Sequence, residues 1–364
     1  MPLRKARVTK PDGRHLWYYA WDRPLPEVAQ PSRAHKLESE GLELRRHPVL
    51  DEWVIVAPER QGRTFLPPAR YCPLCPTRNA KSPTEVPSRD YEIAVFENRF
   101  PSLRSDPPAP SKTRRPFETS RALGTCEVTL YTSAHDTTLA QLPVEHITRL
   151  VEVWTDRYRD LAARREIAYV LIFENRGKEI GVTLTHPHGQ IYGFSYLPPE
   201  PARELAVARR YRREHGRCLH CDIVAAELRD KQRIVAQNET FVAFVPHYAR
   251  FPYEVHVASK AHRPSLLELT AAEREGLARV MKIITQKYDG LWDFPLPYIM
   301  VMHQRPTDGG RHPGCHFHIE FTPPHRTPDK LKFLAGCETG AGTYILDAKA
   351  EDTARRLRSV APRT

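Results

Sequence analysis

Residues 183–194, TLTHPHGQIYGF, place two histidines and a glutamine at alternate positions, His186, His188 and Gln190. The surrounding Thr, Ile, Tyr and Phe favour a β-strand, in which alternate side chains share one face. An all-apolar row would be the ordinary choice for a buried strand face. Two imidazoles and an amide in that row point instead to a site.

The same arrangement occurs twice in the chain. Cys72 and Cys75 precede His135 and then His186 and His188; Cys218 and Cys221 precede His262 and then His316 and His318. Around the lone histidines, VTLYTSAHDTTLAQL resembles VHVASKAHRPSLLEL, and YVLIFENRG resembles YIMVMHQRP. Between the lone histidine and H-x-H each half carries a helix pattern: Ile147, Leu150, Val151, Trp154, Tyr158 and Leu161, then Leu277, Val280, Met281 and Ile284. Thr270 and Glu273 form a capping box at the start of the second helix. The expected fold class is α+β, a duplicated unit of strands, helix and strands. Residues 1–40 form an N-terminal extension in which HLWYYAWDR suits a strand. Residues 41–205 and 206–364 are the two halves. An irregular loop, FPSLRSDPPAPSKTRRPFETS, is expected near whatever the first half binds. The tail holds a Gly-rich turn and a short basic helix.

The 364 residues carry a formal charge of +11 and seven cysteines. The charge suits an anionic partner without choosing among nucleotide, sugar phosphate and nucleic acid. No apolar run reaches membrane-spanning length, and the expected location is the cytoplasm. There, C-x-x-C pairs indicate metal or redox chemistry before disulfides. Two cysteines with two histidines form a tetrahedral set suited to zinc: Cys72, Cys75, His135 and His186, then Cys218, Cys221, His262 and His316. Both sets are closed, which implies structural metals. Cys126 and Cys315 are expected to be structural. A nucleic-acid-binding protein stabilised by zinc is the remote alternative. Its ligands would span residues 72–186 and 218–316, too far apart for a compact finger, and no basic recognition helix or aromatic RNA-binding motif accompanies them.

With His186 on the metal, His188 is left on the same face as a candidate nucleophile or base. The flanking Pro187 and Gly189 argue against an ordinary core histidine, since neither stabilises a strand interior and glycine permits close approach of a ligand. Gln190 supplies uncharged N–H donors and no proton at neutral pH. Asn175, Gly177, Gly181 and Thr183 add donors and room. An imidazole among phosphate donors suits covalent nucleotidyl-histidine chemistry.

HPHGQ, with CPLC, His135 and FENRG, resembles the galactose-1-phosphate uridylyltransferase family, a branch of the histidine-triad superfamily, over residues 43–360. The resemblance implies duplicated histidine-triad-like halves, each an antiparallel half-barrel sheet with helices packed on it. It implies a homodimer that exchanges UMP between UDP-glucose and galactose 1-phosphate by a ping-pong route. His188 would become uridylylated and Gln190 would hold the phosphoryl oxygens. Arg60 and Arg63 would contact nucleotide and phosphates, Asn98 the ribose or uracil, and Asn175 a phosphate. Thr183 stands where serine is common. Lys332, Phe333 and Glu338 would reach the hexose phosphate of the partner subunit's site. The zinc ligands carry over to Cys72, Cys75, His135 and His186. Some members bind iron at the second site, and the corresponding residues here would be Glu204, His303, His316 and His318. The presence of Cys218 and Cys221 favours zinc. Two departures stand out, Arg99 where an acid is usual and Cys337 where an aromatic is usual. An ADP-glucose or dinucleotide phosphorylase of the same superfamily, with phosphate as acceptor, is the nearest alternative. The Pro and Gly of HPHGQ favour the uridylyltransferase.

Overall fold

The computed structural model describes residues 2–28, 31–34, 41–62 and 65–361. Eleven of its strands form one antiparallel sheet. In chain order the strands that matter are β1 (Arg4–Thr9), β2 (His15–Ala20), β3 (Glu43–His47), β4 (Glu52–Val56), β5 (Ile93–Glu97), β6 (Thr119–Arg121), β7 (Gly124–Leu130), β8 (Tyr169–Arg176) and β9 (His188–Phe194) in the first part. The second part adds β10 (Ile234–Gln237), β11 (Phe241–Phe244), β12 (Val255–Ser259), β13 (Tyr298–His303) and β14 (His318–Thr322). Their order across the sheet is β1-β2-β5-β7-β9-β8-β13-β14-β12-β11-β10, while β4-β3-β6 form a separate small sheet.

The repeat explains this order. The two similar segments, YVLIFENRG and YIMVMHQRP, become β8 and β13 and pair with each other, Tyr298 opposite Arg176 and Met302 opposite Ile172. Outward from that seam, β9, β7 and β5 in one half match β14, β12 and β11 in the other. One row of cross-strand partners runs Phe96, Val128, Gln190, Phe173, Val301, Glu320, His256, Phe244. Gln190 and Glu320 are therefore counterparts.

The helices α1 (Val144–Ala162), α2 (Pro199–His215), α3 (Leu219–Asp230), α4 (Ala271–Leu291), α5 (Gly336–Ala341) and α6 (Ala350–Ser359) complete the fold. The expected apolar stripes of α1 and α4 are buried in one continuous core, and the two helices pack on each other. Each fully buried large apolar side chain contributes roughly 1.5–3 kcal/mol. The Thr270–Glu273 capping box starts α4 as expected.

The N-terminal strand is present and is built into the main sheet. β2 pairs with β5, so Trp17 and Tyr19 join the core under α1 while Leu16 and Tyr18 pack on the opposite face. A fully buried ion pair fastens it from beneath. Arg157 of α1 meets Glu127 of β7 in a two-point contact, 2.6 and 2.9 Å, with its guanidinium 3.9 Å from the Trp17 ring centroid. The CETGAG segment, expected as a turn, forms the short helix α5. No described helix is long and apolar enough to cross a membrane.

Candidate active site and metal centres

Cys72, Cys75, His135 and His186 converge, one ligand atom of each lying within 4.8 Å of the others. Cys75 Sγ is 3.3 Å from His135 Nδ1 and 3.5 Å from His186 Nδ1. The far nitrogen of His186, Nε2, donates to the Thr132 carbonyl at 2.8 Å. That bond fixes the tautomer and turns an unprotonated Nδ1 toward the sulfurs, as a metal ligand requires. Two sulfurs and two such nitrogens fit a tetrahedral zinc ion.

His186 does not sit on the strand. The chain bends at His186 and Pro187, and β9 starts at His188. The imidazoles of His186 and His188 thus have different surroundings, instead of sharing a strand face as alternation predicted. The link between them is the backbone. His188 Nδ1–H donates to the His186 carbonyl at 2.7 Å, which leaves Nε2 as the unprotonated nitrogen. Burial holds the His188 pKa below the ordinary histidine value, the carbonyl bond only partly offsetting it, so the ring is neutral at pH 7.

Beside His188 lies a cleft of about 640 Å³, open solvent at its mouth included. His188, Gln190, Thr183, Asn98 and Arg99 line it together with the apolar Leu74, Phe96 and Val128. Tyr192 Oη donates to Gln190 Oε1 at 3.5 Å, which leaves the amide N–H groups for the cleft. Asn98 Oδ1 accepts the Phe100 N–H at 2.9 Å and so shapes the wall of the cleft. Arg60 bonds the Phe100 carbonyl at 3.0 Å behind that wall. Asn175 lies on β8 opposite Ile299 and does not line the cleft. Arg63 lies outside the described residues. Gly189 is also required by packing, since a Cβ there would meet the Tyr131 hydroxyl and the Phe173 carbonyl.

The second half repeats the design with a different outcome. Cys218, Cys221, His262 and His316 converge as expected. Cys221 Sγ is 3.5 Å from His262 Nδ1 and 3.4 Å from His316 Nδ1, and His316 Nε2 donates to the Ser259 carbonyl at 2.9 Å. His318 Nδ1 in turn bonds the His316 carbonyl at 3.0 Å. A further group, Glu204, His303, His318 and Glu320, has ligand atoms within 4.8 Å of one another. This corrects the alternative set of Glu204, His303, His316 and His318. His316 faces the sulfurs, and the fourth position belongs to Glu320, the counterpart of Gln190. Burial, added to the His303 charge, pushes His318 down to about 4. Burial opposes the charge on His303, but Glu204 offsets it and raises His303 to about 9. Glu320 thus puts a carboxylate at the position where the first half has the Gln190 amide.

In the tail, Lys332 and Glu338 are buried and bond each other at 3.1 Å, while Phe333 is 72% exposed. None of the three lines the cleft of its own chain. Cys126 is buried in β7, Cys315 is partly buried and Cys337 is exposed. Two charged cleft residues were not among those expected, Arg33 and Glu85. No sequence signal marks them. Glu320 could have been found by setting HFHIE against HPHGQ.

Comparison with known proteins bears on this site. Residues 34–198 match the family model for the galactose-1-phosphate uridyl transferase N-terminal domain, and 204–363 match that for its C-terminal domain. Galactose-1-phosphate uridylyltransferase of Thermotoga maritima is 43% identical over 87% of this chain and 98% of its own length. That of Streptomyces lividans is 34% identical over 99% and 98%. A solved uridylyltransferase superposes with a TM-score of 0.78 at 36% identity, covering 87% of this chain and 98% of that one. An ADP-glucose phosphorylase from Arabidopsis thaliana shares the fold, with a TM-score of 0.67 at 24% identity over 88% and 99%.

Proposed function

The chain belongs to the galactose-1-phosphate uridylyltransferase family, which exchanges UMP between UDP-glucose and galactose 1-phosphate, and from that premise we propose that it works by ping-pong through His188. Nε2 of His188 attacks the α-phosphorus of UDP-glucose. The N–P bond forms as the bridging P–O bond breaks, and glucose 1-phosphate leaves with the electron pair. A phosphate oxygen of galactose 1-phosphate then attacks the same phosphorus, giving UDP-galactose and returning the imidazole. The observation that carries this reading is the 2.7 Å bond from His188 Nδ1 to the His186 carbonyl. It fixes the nucleophilic tautomer before substrate arrives and steadies the charge that develops on the ring.

Gln190 holds the phosphoryl oxygens with its N–H groups. Being unable to transfer a proton, it leaves water poorly activated while the intermediate waits. Thr183 and Asn98 contact the nucleotide from the cleft wall. Arg60 acts from behind Phe100, and Arg63 contacts nucleotide and phosphates in the bound complex. Zinc at Cys72, Cys75, His135 and His186 would anchor the segment whose carbonyl orients His188. Cys218, Cys221, His262 and His316 would hold a second zinc. Residues 41–205 and 206–364 act as the two halves of one catalytic unit. The exposed Phe333, on the segment held by the buried Lys332–Glu338 pair, completes the site of a partner subunit in a homodimer.

Intact mass after brief mixing with UDP-glucose tests the covalent step. The expected result is a gain of one UMP, discharged by galactose 1-phosphate and absent in His188→Ala. An AMP adduct from ADP-glucose that phosphate discharges would instead establish a phosphorylase. No adduct from either substrate would end the covalent-histidine reading.

A further inference from the structure

The cleft has a polar end that phosphate chemistry leaves unused. Phe96, Val128 and Gln190 are successive cross-strand partners, so Phe96 lies roughly 10 Å from Gln190 across the sheet. Lys10 Nζ is 5.2 Å from the Phe96 ring centroid and pairs with Glu85. Arg14 holds the same Glu85 oxygen, Oε2, at 2.9 Å. The other oxygen, Oε1, is buried and has no hydrogen-bond partner among the described residues. Arg99 Nη1 stands 3.6 Å from it, and among the same residues Arg99 Nε and Nη1 also lack hydrogen-bond partners. Arg33 lines the same cleft, its segment tied to the one carrying Glu85 by a 2.8 Å backbone bond from Arg33 N–H to the Thr84 carbonyl.

We propose that Arg33, Glu85 and Arg99 read the far edge of the nucleotide base and select uracil. Uracil presents carbonyl, N–H, carbonyl along that edge. A carboxylate can only accept and a guanidinium can only donate, so this trio matches the pattern with Glu85 on the N–H. Cytosine turns a lone pair toward the carboxylate at the same position, and adenine does likewise at N1. Position supports the base over the ribose. With the α-phosphate at His188, the ribose lies over the middle of the row and the base edge lies farthest out. Burial opposes the charge on Glu85, but Lys10 and Arg14 more than offset it and hold the group ionised. Lys10, Arg14 and Arg33 all come from the first forty residues. That segment thereby acquires a role, the placing of a buried acceptor at the end of the cleft.

The inference rests on uridylyl transfer, and the assay separates the two. Turnover of UDP-glucose by the unaltered enzyme tests the reaction. The kcat/KM ratio among UDP-, CDP- and N3-methyl-UDP-glucose, in wild type and Glu85→Gln, tests the base reading. Wild type should disfavour both analogues by on the order of 100-fold or more, because each leaves buried polar groups unpaired. Glu85→Gln should narrow the UDP-to-CDP ratio by about tenfold or more, since an amide can donate to the cytosine lone pair. An unchanged ratio in the variant overturns the proposal. So does wild-type acceptance of N3-methyl-UDP-glucose on a par with UDP-glucose, a result that needs no variant to fold. Loss in the variant of discrimination against 2′-deoxy-UDP-glucose, with the base ratio intact, would assign Glu85 to the ribose and overturn it as well.

Discussion

Gly189→Ala is the smallest change that strikes both the fold and the nucleophile. A Cβ at this position would lie 2.5 Å from the Tyr131 hydroxyl and 3.1 Å from the Phe173 carbonyl. Neither neighbour can yield easily. Tyr131 is fully buried, packs edge-on against Trp154 with centroids 5.8 Å apart, and donates to Glu174 at 3.1 Å. Phe173 belongs to β8, paired on both sides. Relief therefore requires β9 to rise or the tyrosine to leave its carboxylate. Overpacking of this kind costs about 1–3 kcal/mol, and a lost bond to a buried carboxylate adds roughly 1.5–3. Together these are roughly 2.5–6 kcal/mol, or a melting temperature lowered by roughly 3–8 °C for a chain this long. Lifting β9 moves His188 by a large fraction of an ångström, which lowers the rate of adduct formation by about 100-fold. Thermal melts and timed intact-mass measurements read the two effects. Gly340→Ala, with nothing within 4 Å of the added carbon, should change neither. A Gly189→Ala protein that melts with wild type and forms the adduct at the wild-type rate would refute the packing argument.

Glu174 is buried, and burial raises its pKa to about 7 although Arg176, Tyr131 and Tyr298 favour the charge. Its pKa lies above the unfolded value, so the native state binds the extra proton and stability falls as pH rises from about 4.5 to about 7. Glu174→Gln should therefore gain melting temperature relative to wild type between pH 5 and pH 8; a constant gap would contradict this. Cys72→Ser should lower bound zinc from two ions per chain to one and depress adduct formation, measured by metal analysis beside the mass assay. Retention of both ions would remove Cys72 from the ligand set. A dimer of one His188→Ala chain and one Phe333→Ala chain should recover about half of wild-type activity if the tail serves the partner, because one of its two sites is then intact. Zero activity would place Phe333 at the site of its own chain.

Much of this was legible because the repeat doubles every signal. The ordered ligands, the amphipathic stripes of α1 and α4, and the Thr270 cap all follow local rules of spacing and satisfied donors. Alternation failed at His186 because Pro187 offers no N–H to a ladder and the chain bends there. The apolar alternation of HLWYYA announced a strand, but its partner β5 begins more than seventy residues later, a separation that no local pattern encodes. Glu85 was invisible for the same reason. It is an ordinary surface-type residue until Lys10 and Arg14 of the turn between β1 and β2, with Arg99, close around it. The role of Glu320 lay in the sequence, at the fifth position of HFHIE, but only for a comparison carried two residues past H-x-H.

The seam between β8 and β13 has a consequence for any attempt to divide the molecule. Each strand is rich in apolar residues and occupies the middle of the sheet only because the other is there. Cut between the halves, each piece would expose a long open edge with its row of backbone donors and acceptors unpaired. The partner best matched to that edge is a copy of the same piece, in the antiparallel sense the seam already uses. A separately made half would thus be sticky, and its cheapest escape is to pair with itself across a two-fold axis. Joining the two copies in one chain removes that competition and lets them differ, one keeping an amide beside its histidine and the other acquiring carboxylates.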